Sequence, residues 1–460
     1  MATISWFGVQ RRTAMTSTHK TKPPTEAPID SAPDQPVDPT GYLSLIRKNR
    51  DFKNLWYGQI VSLLGDWFNL IASASLIGQL TGSGLAIGGL FVVRMLAPFL
   101  ISPLAGVIAD RYNRKRILII TDLSRALVVF CFLLVRRAED VWLLYTLTAL
   151  QLAISGIFFP TRNAILPDVV DRSELGAANA LSSATWSVML ALGAALGGLV
   201  AGGWGIQPAF VIDALTFLVS AAFLSRISYT HTANRVQGDM RPRVVLSQYI
   251  DGLRYLKNHP DILFISTHKA AIALVASGAF QVVQVQLAER VFVIGEGGGI
   301  SLGLLYAAAG IGTGIGPIIA RHFTGDRDHP LRLAILLAYI LTSVGLLIIF
   351  PLTNFGLTLA GTLLRSFGSG INWVFATQLL LQLVPDDVRG RVFSTEFAFF
   401  TLGNALSSAA GGWLLDSSAF NLQSLMLLMA IASILPAIPW FFWIRSHSYK
   451  EAASKDAASQ

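Results

Sequence analysis

Gly106-Val107-Ile108-Ala109-Asp110-Arg111-Tyr112-Asn113-Arg114-Lys115-Arg116 stands between two long apolar runs, at residues 85–110 and 115–135, and its reading decides the fold. A run of about 20 apolar residues crosses roughly 30 Å of hydrocarbon as a helix, because only a helix satisfies its own backbone there. The cations Arg111, Arg114, Lys115 and Arg116 hold the connection at a membrane surface. Gly106 lets two helices approach closely, and Asp110 can face the positive N-terminus of a neighbouring helix. The stretch is therefore the turn of a membrane hairpin.

The same pattern repeats in both directions. Spans are expected at residues 52–80, 85–110, 115–135, 141–166, 177–203 and 208–226, then at 262–292, 300–322, 331–351, 355–384, 394–415 and 422–444. That predicts an all-α membrane protein of about twelve transmembrane helices. Composition agrees: 53% of the 460 residues are hydrophobic and 13% charged, with a mean hydropathy of +0.56, too apolar for a soluble chain of this length.

The formal charge of +8 is dispersed in short basic groups between spans, which reads as topology and not as a nucleic-acid surface. Those groups precede span 1 (Arg47, Lys48, Arg50, Lys53) and follow spans 2, 6 (Arg235, Arg241, Arg243, Arg254, Lys257), 8 (Arg321, Arg327, Arg332) and 10 (Arg389, Arg391). The alternate loops, 81–84, 202–207, 351–354 and 416–421, are short and mostly neutral. Both termini are expected in the cytoplasm, in a plasma or bacterial inner membrane.

Residues 1–40, rich in Pro, Thr and Ser, are expected to be a disordered cytoplasmic tail, with Met15 a second candidate start; Glu26, Asp30, Asp34 and Asp38 argue against a transit peptide. The rest divides into an N-terminal six-helix bundle (41–226), a central loop (227–260), a C-terminal six-helix bundle (261–445) and a cytoplasmic tail (446–460). Within the central loop, Leu246, Ile250, Leu253 and Leu256 have helical spacing, so residues 244–256 predict an amphipathic helix on the membrane or against the bundle. The halves echo one another: Leu166-Pro167-Asp168 follows span 4 and Val384-Pro385-Asp386 follows span 10, as an internal duplication would leave them.

The residues at 106–116 closely resemble the G-x-x-x-D-R-x-x-R-K-R signature of the major facilitator superfamily. Further segments resemble its drug and siderophore exporter branch, which contains macrolide-efflux and enterobactin-exporter-like proteins. They are Gly58-Gln59 with Gly65-Asp66-Trp67, Phe159-Pro160-Thr161-Arg162-Asn163-Ala164-Ile165-Leu166-Pro167, Ala178-Asn179-Ala180-Leu181, and Pro385 with Arg389-Gly390-Arg391-Val392, together covering residues 42–445. The resemblance implies two pseudo-symmetric bundles around a central cavity lined by spans 1, 4, 7 and 10. It also implies a gate in which Gly106, Asp110, Arg111, Arg114, Lys115 and Arg116 clamp span 2 against span 11 in the outward-open state. The helix-packing motif of span 5 departs from the family's G-P-x-x-G-G: it reads Gly193-Ala194-Ala195-Leu196-Gly197-Gly198, keeping close packing but losing the proline. The mid-membrane arginine of span 4 in many proton-coupled exporters is absent, since Arg162 lies at that span's cytoplasmic end.

Candidate cavity residues follow from polar stripes on apolar spans. Gln59, Ser62, Asp66, Asn69 and Ser73 recur every three or four residues on span 1. Gln151 and Ser155 stand on span 4, Ser277, Gln281 and Gln284 on span 7, and Arg365, Ser369 and Asn372 on span 10. Interhelical hydrogen bonding, about 0.6 kcal/mol per contact, is the competing explanation. A charge at the depth of Asp66 costs about 2.5–3.5 kcal/mol, so it is expected to be paired, protonated or facing water. Arg94 on span 2 is its expected partner, while Asp122 and Arg125, three apart on span 3, form their own pair. In this reading Asp66 cycles between protonated and charged forms and protons are the coupling ion; in the competing one a permanent Asp66–Arg94 bridge only holds helices together. His268 reads as structural, Lys269 as snorkelling to the interface, Glu396 as complementing a helix dipole, and Asp213 as ambiguous.

The lone Cys131 excludes a disulfide framework or thiolate metal cluster, so no metal or cofactor is expected. No Walker loop supplies nucleotide energy and no nucleophile motif suggests an enzyme. The expectation is a monomeric secondary transporter exporting a drug-like compound, siderophore or other metabolite by proton antiport, in contact with membrane lipid. A lipid or lysophospholipid flippase and a small-molecule importer remain the alternatives on this fold.

Overall fold

The computed structural model describes residues 39–171, 174–228, 242–325 and 327–446. The expected tails thus lie outside the described residues except at their inner edges, as do residues 229–241 of the central loop. Among the described residues there is no strand.

Helices follow one another almost without loops: α1 (Pro39–Lys48), α2 (Arg50–Thr81), α3 (Gly84–Arg111), α4 (Arg114–Cys131), α5 (Val141–Val169), α6 (Leu175–Gly203) and α7 (Ile206–Ser225). After α8 (Pro242–Asn258) come α9 (Pro260–Ile272), α10 (Gly278–Gln286), α11 (Gly299–Thr324), α12 (Asp328–Ile349), α13 (Phe355–Leu383), α14 (Asp386–Asp416) and α15 (Leu422–Ile434). Ten described helical segments are long and apolar enough to cross a membrane. α13 and α14 carry more polar side chains but, at 29 and 31 residues, extend more than 40 Å at about 1.5 Å per residue, so twelve crossings stand as expected.

The local causes of these boundaries are legible. Asn49, Ser83, Asn113, Asn354 and Asn421 each accept a hydrogen bond from a backbone N–H of the helix they precede. Gly82 ends α2 in the left-handed conformation, φ +60°, which costs glycine nothing. Pro385 sets the start of α14 at Asp386, eight residues before the expected span, because the Arg389-Gly390-Arg391 segment continues the helix beyond the lipid. Pro436 interrupts the last span, so α15 stops at Ile434 before helix resumes.

Three features were not expected. α1 is an additional helix whose Leu45 is 1% exposed, and it parts from α2 at Asn49, whose amide donates to Val169 O at 2.7 Å. Span 7 is built of α9 and α10 joined through a π-turn at Ala273–Ser277 and ended by another at Leu287–Val291. The matched Pro-Asp pairs also differ: Pro167 lies inside α5, whereas Pro385 separates α13 from α14.

Packing makes the duplication explicit. α2 packs on α6 and α7, α3 on α5, and α4 on α5 and α7. Six helices later, α9 and α10 pack on α14, α11 on α13, and α12 on α13 and α15. The halves meet through α3 with α14 and α6 with α11, again a symmetric exchange. α8 rests on α14, where Gly252 sits against Arg391 and Thr395; Leu256 is buried while Ile250 and Leu253 stay exposed, so the amphipathic helix lies against the bundle.

Two ends can be distinguished. The basic end carries the α3–α4 turn; the far end carries the α2–α3 turn. At the far end the halves touch backbone to backbone: a Cβ on Gly198 would stand 2.6 Å from Gly303 Cα, and one on Gly202 2.6 Å from Ile300 N. Only glycine permits such contact between helices.

Candidate functional site

The polar stripe of α2 divides by depth. Gln59 and Ser62 line a cavity of about 500 Å³ together with Phe158, Phe159, Arg162 and Asn163 of α5 and Asn179, Ser182, Ser183 and Trp186 of α6. One turn further, Asp66, Trp67 and Arg94 line a smaller cavity of about 170 Å³ with Ser155, and Leu63, Phe159 and Trp186 form walls of both. Asn69 and Ser73 are fully buried and bond each other at 3.3 Å, so that part of the stripe is helix packing. Gln151 is likewise buried, with Ser155 donating to its carbonyl at 3.0 Å.

Asp66 does not pair with Arg94. Its carboxylate lies 3.9 Å from Arg125 Nη1, and that arginine also binds Asp122. The expected separate pair and the candidate coupling residue thus form one cluster. Arg125 is sealed: its guanidinium lies between the Phe158 and Phe217 rings, 4.2 and 4.3 Å from their centroids, and donates to Ser155 Oγ at 3.4 Å. Cation–π contacts with a desolvated guanidinium are worth about 2 kcal/mol. Asp122 is wholly buried, whereas the Asp66 side chain keeps 20% of its surface exposed on the cavity side. A third carboxylate, Asp213 of α7, approaches the cluster because Gly65 leaves it room. Three acids around so few cations make proton uptake chemically available here, with Asp66 the member that the cavity reaches.

The C-terminal candidates do not join this site. Gln284, Arg365 and Asn372 are buried, Arg365 against the Phe280 ring at 4.0 Å. Gln281 donates to Asn404 Oδ1 of α14 at 3.0 Å. Ser277 and Ser369 are half-buried and line neither cavity.

At the α3–α4 turn, Asn113 caps α4, and Arg114 reaches back to Ala109 O at 3.2 Å and across to Asp168 at 3.1 Å. Arg114 therefore ties α3 to α5 within one half. Arg111 and Arg116 are exposed and Lys115 half-buried; the surroundings of Gly106 and the Asp110 side chain lie outside the described residues. The packing glycines of α6 each have a neighbour: Gly193 faces Trp67, Gly197 faces Phe68, and Gly198 meets Gly303 of the opposite half.

Two sequence readings need correction. Glu396 lies ten residues inside α14, away from any helix terminus, and is ion-paired at 2.9 Å with Lys269, both buried, so no dipole argument applies. Lys269 consequently does not snorkel; it is held by Glu396, by Thr377 Oγ1 at 2.6 Å and over the Trp373 ring. His268 packs among Phe264, Tyr339 and Trp440, as a structural histidine does.

Sequence reading missed the α6 wall and Arg162. The signal for α6 was present, since Asn179, Ser182, Ser183 and Trp186 have one-face helical spacing. The pairing of Asp66 with Arg125 had no local signal.

The model of the Major Facilitator Superfamily matches residues 55–394 and 296–459. The uncharacterized MFS-type transporter YfiS of Bacillus subtilis is 29% identical over 405 residues, 84% of this chain and 92% of the relative. The putative bacilysin exporter BacE of Bacillus subtilis is 24% identical, covering 77% and 86% of the two chains, and the multidrug resistance protein MdtG of Salmonella paratyphi C is 29% identical, covering 73% and 80%. Among solved structures, a point mutant of the nucleoside transporter NupG superposes with a TM-score of 0.69 at 12% identity, over 85% of this chain and 98% of that one, which is a likeness of fold.

Proposed function

The chain belongs to the major facilitator superfamily, and from that premise we propose that this transporter exports a small molecule by alternating access in exchange for protons. The observation that carries the reading is the polar cavity of Gln59, Ser62 and Arg162, adjoining Asp66, on the basic-end side of a far end held shut by glycine contacts. With basic loops retained in the cytoplasm, that cavity takes its load from inside the cell, and both termini are cytoplasmic. The printed names of BacE and MdtG, an exporter and a resistance protein, favour outward movement.

In this scheme the bundles at 41–226 and 261–445 rock about the cavity as bodies. The α6–α11 and α3–α14 contacts part at the far end, and the turn at 106–116 approaches α14 as the basic end closes. A proton arriving from outside neutralises Asp66, loosens its hold on Arg125 and is released inward on the return. The working unit is one chain in lipid, with neither metal nor nucleic acid among its partners.

The test is metabolite profiling of cells and spent medium with and without the protein, followed by uptake of the identified compound into everted vesicles. Export predicts a compound retained in cells lacking the protein and accumulated by everted vesicles when their lumen is acidic. Redistribution of lipid between leaflets, or inward movement of a nutrient, would replace this reading with a flippase or an importer.

A further inference from the structure

Arg162 is buried, 5% exposed, on the wall of the larger cavity. It donates to Gln59 Oε1, to Ser182 Oγ at 2.7 Å and to Asn163 Oδ1 at 3.2 Å, all neutral acceptors, and its Nε has no acceptor. The other buried basic side chains of the described helices are handled differently. Arg114 meets Asp168, Arg125 meets Asp122 and Asp66, Lys269 meets Glu396, and Arg332 meets Asp328. Arg365 stacks on Phe280 and does not line this cavity. Arg94, half-buried, faces the smaller cavity and also has no carboxylate in ion-pair range; among the described residues Arg162 is thus the cation of the larger cavity without one.

A guanidinium removed from water is costly to leave without a counter-charge, and a carboxylate or phosphate is the acceptor that supplies one in a charge-assisted hydrogen bond. Gln59 and Ser182 accept from Nη2 and Asn163 from Nη1, which orients the group and leaves the buried Nε–H as the donor without an acceptor. Beside it stand the exposed faces of Phe159 and Trp186, flat apolar surfaces for the body of a ligand. Asp66 lies two turns along α2 from Gln59, about 10 Å by the helical rise, so its carboxylate is outside ion-pair range of an anion held beside Gln59.

We propose that Arg162, with Gln59 and Ser182, is the binding site for an anionic group, carboxylate or phosphate, of a ligand whose apolar or aromatic body lies on Phe159 and Trp186. The proposal rests on the transport reading above and narrows its substrate class to amphiphilic anions.

The test compares 1-naphthylacetate with its neutral isostere 1-naphthylacetamide, by equilibrium dialysis against the purified protein in phosphatidylcholine nanodiscs. The acid is expected to bind about tenfold tighter, the ratio that corresponds to ~1.4 kcal/mol. Arg162→Gln should bring the affinity for the acid down to that for the amide, with folding of the variant shown by its size-exclusion profile and melting temperature; Arg162→Lys should retain part of the difference. Equal affinity for acid and amide in the wild type, or a preference that survives Arg162→Gln, overturns the proposal. Repeating the titration in phosphatidylglycerol separates two sources of the same chemistry. Competition by the lipid against the acid alone assigns the site to a phosphate headgroup, and unchanged binding assigns it to an anion from the aqueous side. The assay uses neither gradient nor turnover, so its failure leaves the transport reading standing, and failed transport with an intact charge preference sinks only that reading.

Discussion

Asp66 and Asp122 share one arginine but differ in surroundings: Asp122 has no contact with solvent, and Asp66 looks into a cavity. That difference assigns separate tasks. Asp66→Asn is expected to fold and to exchange substrate across vesicles at equilibrium, while losing the acceleration that an imposed pH gradient gives the wild type; an unchanged response to the gradient would end the proton-coupling proposal. Arg125→Ala leaves Asp122 buried without its cation, and removing one partner of such a pair costs about 3–5 kcal/mol. It should lower the melting temperature or abolish recovery of folded protein. Combining Asp122→Asn with Arg125→Gln should restore part of that loss, because neither neutral side chain leaves an uncompensated charge.

At the scale of the element, glycines decide how close the halves come. The Gly198–Gly303 contact leaves no space for a side chain, and neither backbone can retreat without moving its helix. Gly198→Leu is therefore expected to wedge α6 from α11 and favour the far-end-open state. The readout is thiol labelling of Thr81→Cys in a Cys131→Ser background, where the reagent added from the far side should react faster than in the protein with Gly198. The π-turn at Ala273–Ser277 stands where Gly278 packs on Asn404 O and Ser407 of α14, and its one widened turn re-aims span 7 at that helix.

At the scale of the whole molecule, the far end is fastened by a clasp between the halves. Asp416, at the rim where α14 ends, accepts from Ser83 Oγ at 2.5 Å and from the backbone N–H groups of Gly84 and Leu85 at 2.6 and 2.9 Å, and Arg290 donates to Gly82 O. Burial works to raise the Asp416 pKa, but the bonds from Ser83, Leu85 and Gly84, with the Arg290 charge, outweigh it and hold the carboxyl below its ordinary 3.8. A depressed carboxylate stabilises the clasp above its unperturbed pKa and ceases to do so only as pH falls through the lower value. In an Asp66→Asn background, which removes the coupling group's own titration, far-end closure should therefore be constant across the neutral and mildly acidic range, as followed by thiol labelling of Thr81→Cys, a neighbouring position that leaves the Ser83 hydroxyl in the clasp. Asp416→Asn should increase that labelling at neutral pH. Pronounced opening of the Asp66→Asn protein on mild acidification would show that a group other than Asp416 governs the clasp.

Twelve crossings, the turn at residues 106–116 and the duplicated plan followed from sequence alone, because apolar length, basic loops and glycine spacing act locally along one chain. The polar stripes told only that their side chains face protein or water; packing put Gln59, Ser62, Asp66 and Ser155 on cavities and Asn69, Ser73 and Gln151 between helices. Tertiary structure alone decided that Asp66 meets Arg125 and not Arg94, that Lys269 and Glu396 neutralise one another 127 positions apart, and that Arg162 faces the cavity without a carboxylate. The physical reason is that a charge within a membrane is governed by whichever partner packing brings within a few ångströms, and the rotation and tilt of neighbouring helices that set this distance are not written in the periodicity of either helix.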